Sequence, residues 1–146
     1  MKGTTHMSFD LGKIAPETLT DVGVQMTLRD VRSGDTITQD GVPVTITLLG
    51  SDSDEVMRIR RAQINKRLET MTRSGKAPTI SIEEQEADST ERLVAATTDW
   101  SFTELDGKPF GFSPDNARTL YTSKRFSFIR AQAIEFMEEV SNFFKK

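Results

Sequence analysis

Apolar and polar residues alternate in two early stretches of the chain, the pattern typical of half-buried strands. The apolar positions are Val22, Val24, Met26 and Leu28 in the first stretch and Val42, Val44, Ile46 and Leu48 in the second. The two strands are predicted to pair antiparallel, with Ile37 in a short strand between them and turns at Gly34-Asp35 and Asp40-Gly41. Pro43 indicates an edge position. Because a two-stranded unit is marginal alone, it is expected to pack on helices or on another subunit.

Helical spacing replaces the alternation from about residue 53. Four apolar residues recur at the spacing that places them on one face of a helix over residues 53–73. They are Met57, Ile64, Leu68 and Met71. Gly75, followed closely by Pro78, is a standard signal for the end of a helix. Basic residues occupy much of the remaining helix surface: Arg58, Arg60, Arg61, Lys66 and Arg67.

A second helix is predicted over residues 82–100, since Ser81 and Glu84 form a capping-box pattern. Its apolar face comprises Ile82, Leu93, Ala96 and Trp100. Its first half is acidic, with Glu83, Glu84, Glu86, Asp88 and Glu91. A basic helix therefore precedes an acidic one, and an antiparallel hairpin would set their charges across from each other. Exposed pairs of this kind contribute only about 0–1 kcal/mol each, so they select the partner more than they stabilise it.

Two further helices are predicted after a turn at Asp106-Gly107-Lys108-Pro109. A short helix is predicted over residues 114–122. Ser113 is its N-cap, and Pro114 follows at the first helical position. The last helix is predicted over residues 127–142. Its apolar stripe comprises Ile129, Ala133, Phe136, Met137, Val140 and Phe144, and Phe126, Phe128 and Phe143 add aromatic surface beside it.

These elements predict an α+β fold, in which an N-terminal β-hairpin or small antiparallel sheet precedes a mainly α-helical region of about four helices. Residues 22–48 form the predicted β-rich part and residues 53–146 the helical part of a single domain over residues 8–146. Residues 8–21 have little periodicity and are expected to be a loose lead-in. Residues 1–7 end in His6-Met7 and are expected to be a cloning remnant, with Met7 as the native start.

The residue types that most often carry catalysis are scarce. His6 is the only histidine and cysteine is absent, although these are the commonest acid–base and nucleophilic groups. Walker, GxGxxG and GxSxG patterns are also missing. We therefore expect no enzyme, no catalytic residues and no cofactor. No apolar run approaches the roughly 18–20 residues of a membrane helix, so no membrane partner is expected.

One acidic stretch, Asp52, Asp54 and Glu55, invites a metal-site interpretation. It lacks the central glycine and the distal glutamate of a calcium-binding loop. The favoured interpretation is a helix start with Asp52 as N-cap and Glu55 three residues later. No metal is therefore expected.

The net charge of −3 and a pI near 5.3 argue against nucleic acid as the main partner. The basic run over residues 58–67 carries no interleaved aromatic residue for base stacking. A solvated or acid-paired helix face is the favoured interpretation of that run.

Two segments carry a resemblance to a known family. In residues 44–55 a strand runs into Gly50, an acidic helix cap and then the basic helix. Residues 100–117 combine Trp100, the turn at Asp106-Gly107 and the helix start at Ser113-Pro114, and an aromatic helix then leads to Asn142-Phe143. This order, in a chain of this length, resembles the tail assembly chaperone family of long-tailed, siphovirus-type bacteriophages. The resemblance covers most of residues 44–144 and none of residues 7–36.

The resemblance implies a small, mainly helical protein of the host cytoplasm that acts in tail morphogenesis and is absent from the mature virion. The implied partners are the tape-measure protein and the tail-tube protein, without cofactor or catalytic residues, and self-association is left open. The alternative is a structural minor tail or connector protein, retained in the virion, whose strands join a ring by edge pairing. A regulator that binds nucleic acid through residues 58–67 ranks last.

A chaperone of a long helical protein needs apolar patches that accept amphipathic helices. The candidate partner-binding residues lie near the C-terminus: Phe126, Phe128, Ile129, Phe136, Met137, Val140, Phe143 and Phe144. For the stripe that contains Phe136, a role in the core and a role in an interface are both left open, with neither favoured. An interface is favoured for Phe126 and Phe143, which lie off that stripe.

The resemblance also implies a longer form made by a ribosomal frameshift near Lys145-Lys146. Two successive lysine codons can form a slippery A-rich heptamer, which predicts an open overlapping frame beyond them. The alternative is that the two lysines simply follow a helix end, where cations suit the helix dipole.

Overall fold

The computed structural model describes residues 8–77 and 79–146, so the expected remnant over residues 1–7 lies outside the described part. The largest sheet in this part is antiparallel and three-stranded, in the order β1-β4-β5. Strand β1 is Val24–Thr27, β4 is Thr45–Leu48 and β5 is Thr97–Trp100. Strands β1 and β4 pair antiparallel with Met26 opposite Ile46, which confirms the predicted antiparallel pair.

Two short hairpins accompany the sheet. Strands β2 (Thr38–Gln39) and β3 (Val42–Pro43) form one, and β6 (Glu104–Leu105) and β7 (Lys108–Pro109) form the other. Each turns through an Asp-Gly pair with positive φ at both residues, 53° and 78° in the first and 51° and 78° in the second. This geometry matches the right-handed twist of the flanking strands. Both Asp-Gly turns are therefore confirmed. The short intervening strand is Thr38–Gln39, so Ile37 lies directly before it and not in it as predicted.

Four α-helices lie within the described residues: α1 Asp54–Ser74, α2 Ile82–Ala96, α3 Pro114–Thr122 and α4 Ser127–Glu138. Together with the small antiparallel sheet they make the fold α+β. Local capping explains why α1 and α3 begin and end close to where they were predicted. The Ser113 hydroxyl accepts the Asn116 amide at 3.0 Å ahead of Pro114, and Gly75 ends α1 with φ 68°.

The second helix is shorter than predicted, because residues 97–100 form β5 instead of a last helical turn. Strand β5 pairs with the edge of β4 that β1 leaves open, with Trp100 opposite Ile46. The backbone amides and carbonyls along that edge thereby find partners. The Trp100 ring is buried against Phe102, Phe110 and Phe112, and its Nε1 donates to the Phe110 carbonyl at 3.1 Å. The mainly α-helical region therefore also contains three short strands within residues 97–109.

The last helix ends at Glu138 rather than at residue 142. Glu139 is extended, and a 3-10 turn over Val140–Phe143 follows it. The side-chain amide of Asn142 donates to the Phe136 carbonyl at 3.1 Å and secures this reversal. As a result Phe143 turns back into the core, where it is 3% exposed.

The lead-in is tied down at its second half, contrary to the expectation that it is loose. Thr18 forms a β-bridge with Phe144, and the Lys145 amide donates to the Glu17 carbonyl at 2.7 Å. Thr20 is buried and donates its hydroxyl to Asp52. Gly50 lies against Thr20 so closely that a Cβ there would collide with the threonine side chain.

One hydrophobic core joins the sheet to the helices. Ile46 and Leu48 of β4 are fully buried and pack beneath residues of α2, α3 and α4. Tyr121 is the largest of the side chains that are fully buried there. Burial of these apolar groups is the main stabilising contribution to the fold.

Candidate functional site

The acidic stretch at the start of α1 serves the fold. Ser53, not Asp52, is the N-cap, and its hydroxyl accepts the Val56 amide at 3.3 Å. Asp52 instead accepts the Thr20 hydroxyl, which removes it from the predicted cap position. Glu55 pairs with Arg58 at 2.5 Å, and this hydrogen bond lowers the pKa of the glutamate. Within the described residues no three His, Cys, Asp or Glu side chains are grouped so that they could hold a metal ion.

The predicted C-terminal surface is only partly a surface. Ile129, Met137 and Phe143 are 6%, 6% and 3% exposed, so these three candidate residues belong to the core. For Phe143 this corrects the preference for an interface, because the 3-10 turn after α4 directs its ring inward against Phe136 at 5.6 Å between centroids. Buried side chains are not available to a partner unless the fold opens.

The remaining candidates are more accessible. Phe126, Phe128, Phe136 and Phe144 are half-buried, and Val140 is 60% exposed. Arg125 covers one face of the Phe126 ring, 5.1 Å from its centroid. The half-buried aromatics are thus engaged with their own chain, and Val140 alone among the eight offers a largely free side chain. Their role in partner binding stays a prediction.

A different apolar surface is uncovered on α1. Ile64, Leu68 and Met71 are 47%, 50% and 39% exposed, and we call these three residues the α1 stripe. They follow one another by four and three residues and therefore line one face of the helix. Met57, half-buried, continues the line toward the core. Val56 is the buried residue of α1, so most of this helix lies beyond the core.

Helix α2 does not cover the stripe because it packs antiparallel on the neighbouring face of α1. The Gln63 side-chain amide donates to the Asp88 carbonyl at 2.9 Å, and Arg92 donates to the Gln63 oxygen at 2.7 Å. Arg67 forms an ion pair with Asp88. These pairs confirm that basic α1 faces acidic α2. They also make the contact polar at the level of the stripe, which leaves the stripe without an apolar partner in this part of the chain.

Two arginines beside the stripe have no ion-pair partner within the part of the chain that the structure describes. Among residues 8–77 and 79–146, neither Arg60 nor Arg61 forms an ion pair, whereas Arg58 and Arg67 do. Arg60 precedes Ile64 by one helical turn and reaches a cavity of about 120 Å³ where α1, α2 and α4 meet. Arg92 lines the same cavity, and burial together with the neighbouring charge of Arg60 lowers the pKa of Arg92.

The acidic first half of α2 is a sequence signal that the α1 stripe stays uncovered. The partner surface was instead predicted at the C-terminal aromatic residues. The stripe lies at the level of the acidic first half of α2, which has few apolar residues to cover it. An apolar face opposite a charged helix is left unpaired.

None of the α-helices in the described residues is long and apolar enough to cross a membrane.

Comparisons of the chain with protein-family models, with curated proteins and with solved structures find no match. The uncovered stripe, the arginines beside it and the residue order along the chain are therefore the observations from which a function can be inferred.

Proposed function

We propose that this chain is a tail assembly chaperone of a long-tailed bacteriophage, which binds the tape-measure protein and tail-tube subunits in the host cytoplasm. The observation that supports this proposal is the α1 stripe. Aligned apolar residues on a projecting helix are suited to an amphipathic helix of another protein. A tape-measure protein is long and helical, and it needs such cover until tube subunits enclose it. The residue order described above adds the resemblance to the same family.

The proposal includes no enzymatic activity. Several charged groups of α1 and α2 are engaged in structural ion pairs, such as Arg67 with Asp88 and Arg118 with Glu91. The surface next to the stripe offers guanidinium groups and apolar side chains, which recognise a protein surface but supply no general base at neutral pH.

Co-expression tests the partners. Fragments of the tape-measure protein and whole tail-tube subunits, each made together with this chain, are expected to co-purify with it. Leu68→Gln should weaken recovery of the tape-measure fragments, because it places an amide on the exposed ridge without removing a core contact. Ile82→Gln is the matched control, since Ile82 is 75% exposed but lies off the stripe at the start of α2. Absence of either partner from the purified complex would contradict the proposal for that partner.

Analysis of purified virions separates the chaperone from its alternative. Mass spectrometry of mature tails is expected to find no stoichiometric amount of this chain. The alternative, a minor tail or connector protein, draws on β1, which lies at the edge of the sheet order β1-β4-β5 and can accept a strand from a neighbour. Stoichiometric presence in tails would favour that alternative over the chaperone.

A further inference from the structure

We propose that the α1 stripe binds an amphipathic helix whose apolar ridge is flanked by acidic residues, and that Arg60 and Arg92 together receive one of its carboxylates. The proposal rests on the proposed function only for the identity of the partner, a helix of the tape-measure protein. The surface and its chemistry are argued from α1, α2 and the cavity between them.

The spacing of the exposed apolar residues fits a helical partner. From Met57 the ridge continues to Ile64, Leu68 and Met71 in steps of seven, four and three residues. This is the spacing that keeps a seam facing a second helix along its length. A strand or a flat surface would not follow a ridge of this period. A helix laid along the ridge would remove from water three side chains that are now 39–50% exposed.

The charges beside the ridge favour a partner with acidic flanks. Arg60 and Arg61 lie on either side of the line of Met57 and Ile64 and form no ion pair with another described residue. Charged residues that border an apolar helix seam decide which partner is accepted. Two free guanidinium groups therefore select carboxylates at the flanks of the incoming helix and reject ammonium groups there.

The cavity at the core end of the ridge gives one carboxylate a defined place. Arg60 and Arg92 line it together with Ser51, Ser89 and Glu138. Arg92 is half-buried, and its guanidinium is held in place by the hydrogen bond that it donates to the Gln63 side chain at 2.7 Å. A guanidinium group pairs with a carboxylate through two parallel hydrogen bonds. Glu138 and Asp88 already offset part of the repulsion between the two arginines, and an entering carboxylate would offset more of it. The cavity volume of about 120 Å³ suits a side-chain carboxylate.

A second copy of this chain is a poorer occupant. If α1 packed on α1 of another copy, Arg60 and Arg61 of both helices, unpaired within the described residues, would border one seam. Like charges placed along a helix seam oppose pairing. Charge complementarity therefore favours an acidic partner helix over self-association through α1.

The test uses two synthetic helical peptides that share the same apolar residues at alternating four- and three-residue spacing. One peptide carries Glu at the positions beside the seam and the other carries Lys. We expect the whole chain to bind the Glu peptide at least about tenfold more tightly than the Lys peptide, and the preference should shrink at high salt. Amide chemical-shift changes on adding the Glu peptide should concentrate on residues 57–75.

Two pairs of variants locate the site. Ile64→Gln is expected to weaken binding of the Glu peptide about tenfold or more, while Ile82→Gln leaves it unchanged. Arg60→Gln should weaken binding of the Glu peptide and strengthen that of the Lys peptide, because a positive charge beside the seam is removed. Arg73→Gln is its control, because Arg73 lies on the same helix but on the side away from the stripe. All four positions are exposed, so unchanged circular dichroism spectra and melting temperatures should show that the fold is kept.

The outcomes separate this proposal from the proposed function. Equal binding of the two peptides, or binding that Ile64→Gln does not weaken, would overturn the α1 site even if tape-measure fragments still co-purify. Self-association of the free chain that Ile64→Gln abolishes would also overturn it, since a second copy would then cover the stripe. Conversely, α1-dependent binding of the Glu peptide without capture of any tape-measure fragment would support the site and count against the chaperone.

Discussion

The hydroxyl of Tyr121 is enclosed by the core. Tyr121 is 2% exposed, and its oxygen lies 2.8 Å from the Thr97 hydroxyl in a hydrogen bond that links α3 to the start of β5. Burial disfavours the charged phenolate and raises the pKa of Tyr121 from 10.0 to about 12. The folded state therefore holds this proton at pH values where an unfolded tyrosine has lost it.

At the residue scale this pKa predicts a loss of stability in alkali. Between pH 10.0 and about 12 the folded chain binds more protons than the unfolded chain, so the free energy of unfolding falls as pH rises. The fall should total about 2–3 kcal/mol across that window. Urea unfolding at several pH values measures it, with Tyr121→Phe as the control that lacks the phenol. An equal pH dependence in the two proteins would show that Tyr121 is not its source.

At the scale of the elements, the guanidinium of Arg130 connects α4 to both α2 and α3. It is held by α4 and donates to the Thr90 hydroxyl at 2.5 Å, to the Tyr121 carbonyl at 3.1 Å and to the Glu86 carbonyl at 3.3 Å. Its side chain is 15% exposed and also pairs with the Glu86 carboxylate. One side chain of α4 thus satisfies acceptors on both α2 and α3.

Arg130→Met is therefore expected to lower the free energy of unfolding by about 2–3 kcal/mol, because buried acceptors lose a charged donor. Arg130→Lys should restore only part of the loss, since an ammonium lacks the planar fork of the guanidinium. Arg125→Met is the control: Arg125 pairs with Asp106 at the surface, and its removal should change stability little. Chemical denaturation of the three variants checks the ranking, and equal losses for Arg130→Met and Arg125→Met would refute it.

Elements whose boundaries depend on local chemistry were predictable from sequence. Ser113, Pro114 and Gly75 act within a turn of their own position, so α1 and α3 are located well. Trp100 was assigned to α2 because its spacing from Leu93 and Ala96 is helical. Its strand conformation depends on β4, which is about 50 residues away, and no local pattern reports such pairing.

The same limit applies to the candidate site. Ile129, Ala133 and Met137 on α4 and Ile64, Leu68 and Met71 on α1 have similar helical spacing. The first set is buried and the second is exposed. Periodicity identifies an apolar face, but tertiary packing decides whether another part of the chain covers it. Periodicity therefore indicated both apolar helix faces, and only the acidic first half of α2 distinguished the α1 face as the one without apolar cover.

For the whole molecule, the two ends of the described chain depend on Phe143. Phe143→Ala is expected to lower the free energy of unfolding by about 3–5 kcal/mol, as for other large buried side chains. Hydrogen exchange at Leu19 should accelerate more than at Ile46, because the Leu19 amide donates to the Phe143 carbonyl. Val140→Ala, at a side chain that is 60% exposed, is the matched control and should change both measurements little. Unchanged protection of Leu19 in Phe143→Ala would show that the pairing does not depend on this ring.

The bridge between Thr18 and the segment around Phe143 has a consequence for how the protein is made. The Thr18 hydroxyl and the carbonyl it contacts are separated by 125 positions in the chain. A ribosome translates at about 5–20 residues per second, so residues 17–19 wait several seconds for the segment that they pair with. The sheet and the α1–α2 hairpin can form during this delay, whereas closure over residues 17–19 must come late. A nascent chain stalled before residue 143 is thus expected to leave residues 8–19 open to proteases and to early-binding partners.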